Sequence, residues 1–435
     1  MASMKETLRG FGRRIAALPK EERPATGLLA LAIFLLMVCY YVLKTVREPW
    51  ILTTGGAEQK TYASAWQAGA LVLVLPIFNY FVARLDGRRM IVGLTLIFVA
   101  NIELFYLGAI SDVPGLGFIY FVWVGIFSLS SIALFWSFAN DAVTTERGER
   151  MFPFVTVGMT AGPVVGSKVG SWLFDAGLSY PNVLQVGAAI LLVHLGVYLA
   201  VFRQPVIEAS KPEKQEGSTL ARALRGFQLV LARPYIRRIA LLILLLNVAN
   251  TTGEFILSKL VEERAAGTDD PGAYIGSFYG DFYFGVNLLG VLLQVFVASS
   301  LVRRFGIKSL LYTLPLIALV NYSLVAFGVA FSVFRVIKTA ENASDYSLMN
   351  NAKAMLWLRT SREEKYAAKQ TVDTLIYRLG DMLAAAAVYV GTTQLEWSLR
   401  AFGLFNVAVI SVWLGVAWLL ARSYAQQGDE EPTKF

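Results

Sequence analysis

Apolar runs of about 20 residues, each long enough to cross the ~30 Å hydrocarbon layer of a bilayer, recur from residue 26 to residue 421. A chain in lipid must satisfy its backbone hydrogen bonds internally, and runs of this length do so as helices. Twelve spans are expected, at about 26–52, 62–83, 89–111, 117–141, 151–175, 181–202, 236–258, 273–300, 308–328, 330–358, 366–392 and 397–421. Composition agrees: 56% of residues are hydrophobic and 16% are charged, against about 25% charged in soluble domains. The expected fold class is an all-α membrane protein.

One connection is long and polar. Residues 203–235 carry two prolines and many charges, and divide the chain into two six-helix bundles, 26–202 and 236–421. A cytoplasmic segment, 1–25, and a cytoplasmic tail, 422–435, flank them. The halves share loop sequences. RLDGRRM (84–90) pairs with RRFGIKS (303–309), and TTERGERMFP (144–153) with TSREEKYAAK (360–369), at offsets of 216 to 219 residues. Duplication of six spans is a transporter signature. RLDGRRM also resembles the short basic loop of major facilitator proteins.

Charge fixes an orientation. With the N-terminus inside, 28 of the 39 Lys and Arg fall in or beside cytoplasmic loops, tails and linker. Four (Lys60, Lys259, Arg264 and Arg400) are assigned to outer loops, and seven lie within spans. This obeys the positive-inside rule. It accounts for the net charge of +8 through the anionic inner leaflet, without nucleic acid as a partner.

Several chemistries are excluded. Cys39 is the one cysteine and His194 the one histidine, so neither a disulfide frame nor a thiolate or histidine metal site is expected. His194, in AILLVHLGVYL, reads as a packed residue. No cleavable signal peptide is expected, because the first apolar run is too long and lacks a small-residue cleavage site. GPVVGSK (162–168) lacks phosphate-loop spacing, so ATP hydrolysis is not expected to drive the protein. No enzyme motif, metal or cofactor is indicated. Gly158, Gly162, Gly166 and Gly170 repeat every four residues in span five, which suits close helix packing or a smooth sliding face.

The charges inside the spans are costly, at roughly 2.5–3.5 kcal/mol each on insertion scales, and such groups usually face the bundle interior. In RVIKTAENASDYSLMNNAK (335–353), Arg335, Lys338, Glu341 and Asp345 share one helical face about 120° wide, with Lys353 returning to the same angle. Span one carries Tyr40, Lys44, Arg47 and Glu48 at helical spacing. Span seven carries Asn247, Asn250, Glu254 and Ser258, and span eleven Asp373, Tyr377 and Asp381, with Arg378 alongside. Together they suggest a polar cavity between the halves. The alternative is that the charges pair within helices and hold the halves together.

YYVLKTVREPWIL (40–52), FWSFAND (135–141) and ENASDYSLMNNAKAMLWLRTSREEKYAAKQTVDTLIYRLGD (341–381) resemble the nucleotide transporter family, the ATP/ADP translocases of plastids and intracellular bacteria. The resemblance implies twelve helices, a major-facilitator-like fold and exchange of ATP, ADP or related nucleotides. It also implies that Lys44 and Arg47 touch substrate, in K-T-V-R-E where translocases tend to have R-x-x-K-D. Span four (120–136) lacks the acidic residue of the translocases, and Asp381 follows Gly380 where they often have lysine.

The leading expectation is therefore a secondary transporter exchanging nucleotides across a bacterial inner membrane, as a monomer in the lipid bilayer with both termini cytoplasmic. Phosphates would meet Lys44, Arg47, Arg335, Lys338 and Arg378. The base would stack on Tyr40, Tyr41 or Tyr377, and Glu254, Asn342 and Asp345 would complete the substrate contacts. Glu48, Glu341 and Asp381 would gate or couple. Two alternatives stand: a proton-coupled carrier of another anionic or organic solute, using Glu254, Asp345 or Asp381, and a non-transporting membrane sensor or scaffold. The topology is testable. In a Cys39→Ser background, a cysteine at Ser218 in the linker should resist an impermeant maleimide added to intact cells and react in inverted vesicles. Labelling from outside would contradict it.

Overall fold

The computed structural model describes residues 18–82, 87–207, 219–361 and 364–429. The N-terminal segment before residue 18, residues 83–86 at the first repeated loop, linker residues 208–218, Arg362 and Glu363 of the second repeated loop and the tail after residue 429 lie outside the described residues. Within them the regular structure is helical.

Helix α1, Glu22–Val82, contains two crossings. Only Gly56 breaks it, at φ 74° and ψ 179°, a conformation that a side chain would strain. The loop expected at 53–61 is thus a single-residue kink between helical arms. This alters one charge assignment: Lys60 begins the second arm inside the bundle and is 5% exposed. The N-terminal half continues with α2 Gly87–Ile110, α3 Leu116–Ala142, α4 Thr145–Asp175 and α5 Tyr180–Val201.

The linker is not wholly loop. It carries α6, Thr219–Ala232, which packs against residues 364–371 at the start of the eleventh crossing. At Gly226 an added Cβ would stand 2.6 Å from the Ala367 carbonyl oxygen, so the close approach requires glycine.

The second half comprises α7 Pro234–Ala265, α8 Pro271–Leu292, α9 Ile307–Ala326, α10 Phe331–Ser344, α11 Tyr377–Tyr389 and α12 Leu399–Asp429. Wider π turns interrupt three of its crossings. Leu293–Val297 leads α8 into Ala298–Phe305. Asp345–Met349 leads α10 into Asn350–Leu356. Glu364–Ala368 and Val372–Ile376 precede α11. Counting both arms of α1, the described residues make twelve crossings. Among the described residues, eight helices are long and apolar enough to span a membrane by length and composition alone, α1 counting once. The crossings of α4, α10 and α11 are polar by comparison.

The halves meet most extensively where α4 lies against α8, and α1 meets α11, α8 and α7 of the second half. On α8, a Cβ at Gly280 would lie 2.6 Å from the Ser171 backbone nitrogen. Between α1 and α11, Tyr62 meets Tyr389, with ring centroids 6.2 Å apart. The glycine face of α4 lies elsewhere, seated on α1 within the first half. A Cβ on Gly158 would fall on the Ala30 carbonyl, and those on Gly162 and Gly166 would lie 2.8 and 2.7 Å from the Phe34 and Val38 carbonyls. The obstacles are backbone atoms, which do not rotate away. Gly158→Val should therefore lower stability by about 1–3 kcal/mol, the usual cost of overpacking. A thermal unfolding curve matching the parent would refute this packing account.

A candidate substrate cavity between the two halves

A cavity of about 270 Å³ lies between the bundles, near the lower end of small-molecule sites. The first half contributes Tyr40, Lys44, Arg47, Lys60, Ser64, Gln67 and Phe121. The second contributes Asn250, Thr251, Glu254, Tyr283, Asn342, Asp345, Tyr346, Tyr377, Arg378 and Asp381.

Behind the first wall sits Glu48, fully buried. Arg47 pairs with it, the Nε at 3.0 Å from Oε1. Lys60 Nζ stands 2.7 Å from its Oε2, and the Tyr283 hydroxyl donates to Oε1 at 2.6 Å. Lys60 also donates to Ser258 Oγ at 2.8 Å and Tyr279 at 3.2 Å. One carboxylate therefore ties both arms of α1 to α7 and α8. Lys44 is different. It lies 4.0 Å from the Tyr283 ring centre and 5.2 Å from that of Tyr41, and among the described residues no carboxylate approaches it within 4 Å.

The second wall is acidic. Asp381 accepts from Asn247 and Thr251, both at 2.9 Å, and from Arg378 at 3.3 Å. Glu254 accepts from Asn342 at 2.9 Å. Asp345 has Lys353 at 3.9 Å.

Three expected substrate contacts stand elsewhere. Lys338 is completely buried behind the second wall, 2.8 Å from Glu341 and 3.7 Å from Glu254. Glu341 also receives Asn321 and Tyr322, at 2.8 and 2.9 Å. Arg335 lies over Phe278 of α8, 4.9 Å from its ring centre. Tyr41 donates to Asn287 of α8 at 3.1 Å. The reason is geometric: a 120° face on a helix packed among several others meets more than one neighbour. Beyond the π turn at Asp345–Met349, Lys353 stays within 3.9 Å of Asp345 without lining the first cavity. It lines a second cavity of about 310 Å³ with Asn350, Trp357, Lys369, Asp373 and Tyr377. Tyr377 lines both cavities.

Sequence reasoning passes over Lys60, although a signal is present: Lys60, Ser64 and Gln67 fall at i, i+4 and i+7, one polar stripe. The tie of Glu48 to α8 leaves no comparable signal. His194 is a packed residue, its Nδ1 2.8 Å from the Ala32 carbonyl oxygen.

At the end of the bundle holding Gly56, opposite the linker, further contacts bind the halves. Lys259 pairs with Glu58 at 3.0 Å, and the Ala57 amide donates to Glu262 at 3.2 Å. Ser277 donates to Asp175 at 2.6 Å, and Lys168 to Asp281 at 2.7 Å. Among the described residues, these contacts join the halves at this end.

Residues 29–344 match the model of the Major Facilitator Superfamily. The chain belongs to this superfamily. Among curated relatives, the ADP,ATP carrier protein 1 of Chlamydia muridarum (strain MoPn / Nigg) is 22% identical over 339 residues, covering 67% of this chain and 62% of the carrier. The chloroplastic ADP,ATP carrier protein 1 of Arabidopsis thaliana is 20% identical over 333 residues, covering 68% and 52%. This chain thus spans less than two thirds of either relative and is a divergent one. Among solved structures, the nucleoside transporter NupG superposes with a TM-score of 0.66 at 13% identity, covering 93% of this chain and 99% of that one. The major facilitator fold is therefore shared where little sequence is.

Lys44 on the first wall and Lys338 behind the second should behave differently. Lys338→Met strands Glu341 in the interior, and removing one partner of a buried pair costs about 3–5 kcal/mol. Lys44→Met breaks no ion pair among the described residues and forfeits cation–π contacts worth about 2 kcal/mol. Thermal unfolding should rank Lys338→Met well below Lys44→Met. Equal losses would contradict the network.

Proposed function

We propose that this protein is a secondary transporter that exchanges nucleotides of the ATP/ADP type by alternating access. The observation that carries this reading is the cationic wall of the cavity between the halves: Lys44, Arg47 and Lys60 on α1, faced by Arg378. Polyphosphate is an anion that such a wall would hold, Arg by paired hydrogen bonds and Lys as a point charge. The likeness to ADP,ATP carriers supports the same reading. Tyr40, Tyr346 and Tyr377 offer aromatic surface for a base. In this account Arg335, Lys338 and Tyr41 support the site from behind.

In mechanism, the contacts around Glu48, Lys259 and Asp175 hold the linker-distal end shut. Substrate reaches the cavity from the linker side, past Tyr377 and the cavity holding Lys353 and Lys369. Rocking of the halves about the α4–α8 and α1–α11 seams then opens the other end. The setting is a bacterial inner membrane with the linker in the cytoplasm, and the protein acts as a monomer.

A second reading is a proton-coupled carrier of another organic anion. The observation favouring it is Asp345, a cavity carboxylate whose nearest cation is 3.9 Å away. Proteoliposomes separate the two. An exchanger should take up labelled nucleotide at least tenfold faster into vesicles preloaded with nucleotide than into empty ones, whatever the proton gradient. Equal uptake into empty vesicles, driven by external acid, would overturn exchange in favour of proton coupling.

A further inference from the structure

The cavity walls hold unused hydrogen-bonding capacity of opposite kinds. On α1, Lys44 Nζ donates to no protein acceptor among the described residues and lies over the faces of Tyr283 and Tyr41. Across the cavity, neither oxygen of Asp345 accepts a hydrogen bond from a described residue, and its Oδ1 is buried. Asn342 gives its amide nitrogen to Glu254, yet its Oδ1 is buried without a partner. Unpaired buried polar atoms are costly, and here Lys44 on the first half faces the unpartnered oxygens of Asp345 and Asn342 on the second, with Lys353 no nearer to Asp345 than 3.9 Å.

Other cavity charges are already engaged. Arg47 and Lys60 share Glu48, and Asp381 is held by Asn247, Thr251 and Arg378. Lys44 and Asp345 therefore mark the two poles left for a ligand.

The geometry points to a substrate that is itself polar end to end: its anionic group lies against Lys44 on the first half, and its hydrogen-bond donors lie against Asp345 and Asn342 on the second. This rests on the cavity being the substrate site, and adds to the nucleotide reading an orientation, with phosphates on α1 and the amino or hydroxyl groups of the nucleoside on α10. It also gives each half one end of the substrate, so an intact molecule would bridge them.

Binding of three probes to purified full-length protein tests this: ATP, inorganic tripolyphosphate, which has anion but no donor end, and the zwitterion alanyl-alanine. Affinities are read in the parent, Lys44→Gln and Asp345→Asn, each checked for monodispersity and unfolding temperature. Asn342→Leu serves if Asp345→Asn is unfolded. Lys44→Gln should weaken ATP and tripolyphosphate alike. Asp345→Asn should weaken ATP about tenfold, the scale of a charge-assisted hydrogen bond, while leaving tripolyphosphate unchanged or tighter, because a repelling carboxylate has gone. If Asp345→Asn shifts both in the same direction, or leaves ATP untouched, the orientation is wrong and the nucleotide reading survives. If the parent binds only alanyl-alanine, with losses in both variants, the nucleotide reading fails and the polarity stands. If nothing binds, both fall.

Discussion

The arrangement of the two halves depends on one buried carboxylate. Glu48 lies where no water reaches it, and a lone charge there would be prohibitively costly. It is retained because Arg47, Lys60 and Tyr283 converge on it from both arms of α1 and from α8. The partners come from different bundles, so satisfying Glu48 fixes the bundles against each other. Buried pairs of this kind add little net stability compared with apolar packing. What the arrangement supplies is a defined closed position next to the cavity, since Arg47 and Lys60 also line its wall.

That coupling links the cavity to the linker-distal end. Lys60 bridges from Glu48 to Ser258 and Tyr279. One residue beyond Ser258, Lys259 reaches Glu58 of the first half. An anion arriving at Arg47 and Lys60 would compete with Glu48 for the same cations, and the competition would loosen the tie between halves. The second half keeps its own charges apart from this exchange: Lys338 and Glu341 neutralise each other behind the wall, leaving Glu254 and Asp345 at the surface.

The fold is largely legible in the sequence, because length and apolarity of the spans leave a chain few choices in lipid and the repeated loops reveal the duplication. The cavity is legible in part. Lys44, Arg47, Glu254 and Asp381 sit at helical spacings that a straight helix preserves. Arg335 and Lys338 mislead, since spacing gives an angle about a helix axis but not the neighbour at that angle. Lys60 reads as a loop charge because Gly55 and Gly56 suggest a turn, whereas the backbone breaks at Gly56 alone. The tie of Glu48 to Tyr283 joins residues 235 positions apart, a distance over which periodicity carries no information.

The central claim is that the Glu48 cluster holds the linker-distal end closed. Spin labels at Gln59 and Glu263, exposed positions flanking the contacts there, would report it directly through the distance distribution between them, in a Cys39→Ser background. The account predicts one short population in the parent and a second, longer one in Glu48→Gln, where Arg47 and Lys60 lose their shared anion. A Glu48→Gln distribution identical to that of the parent would contradict it.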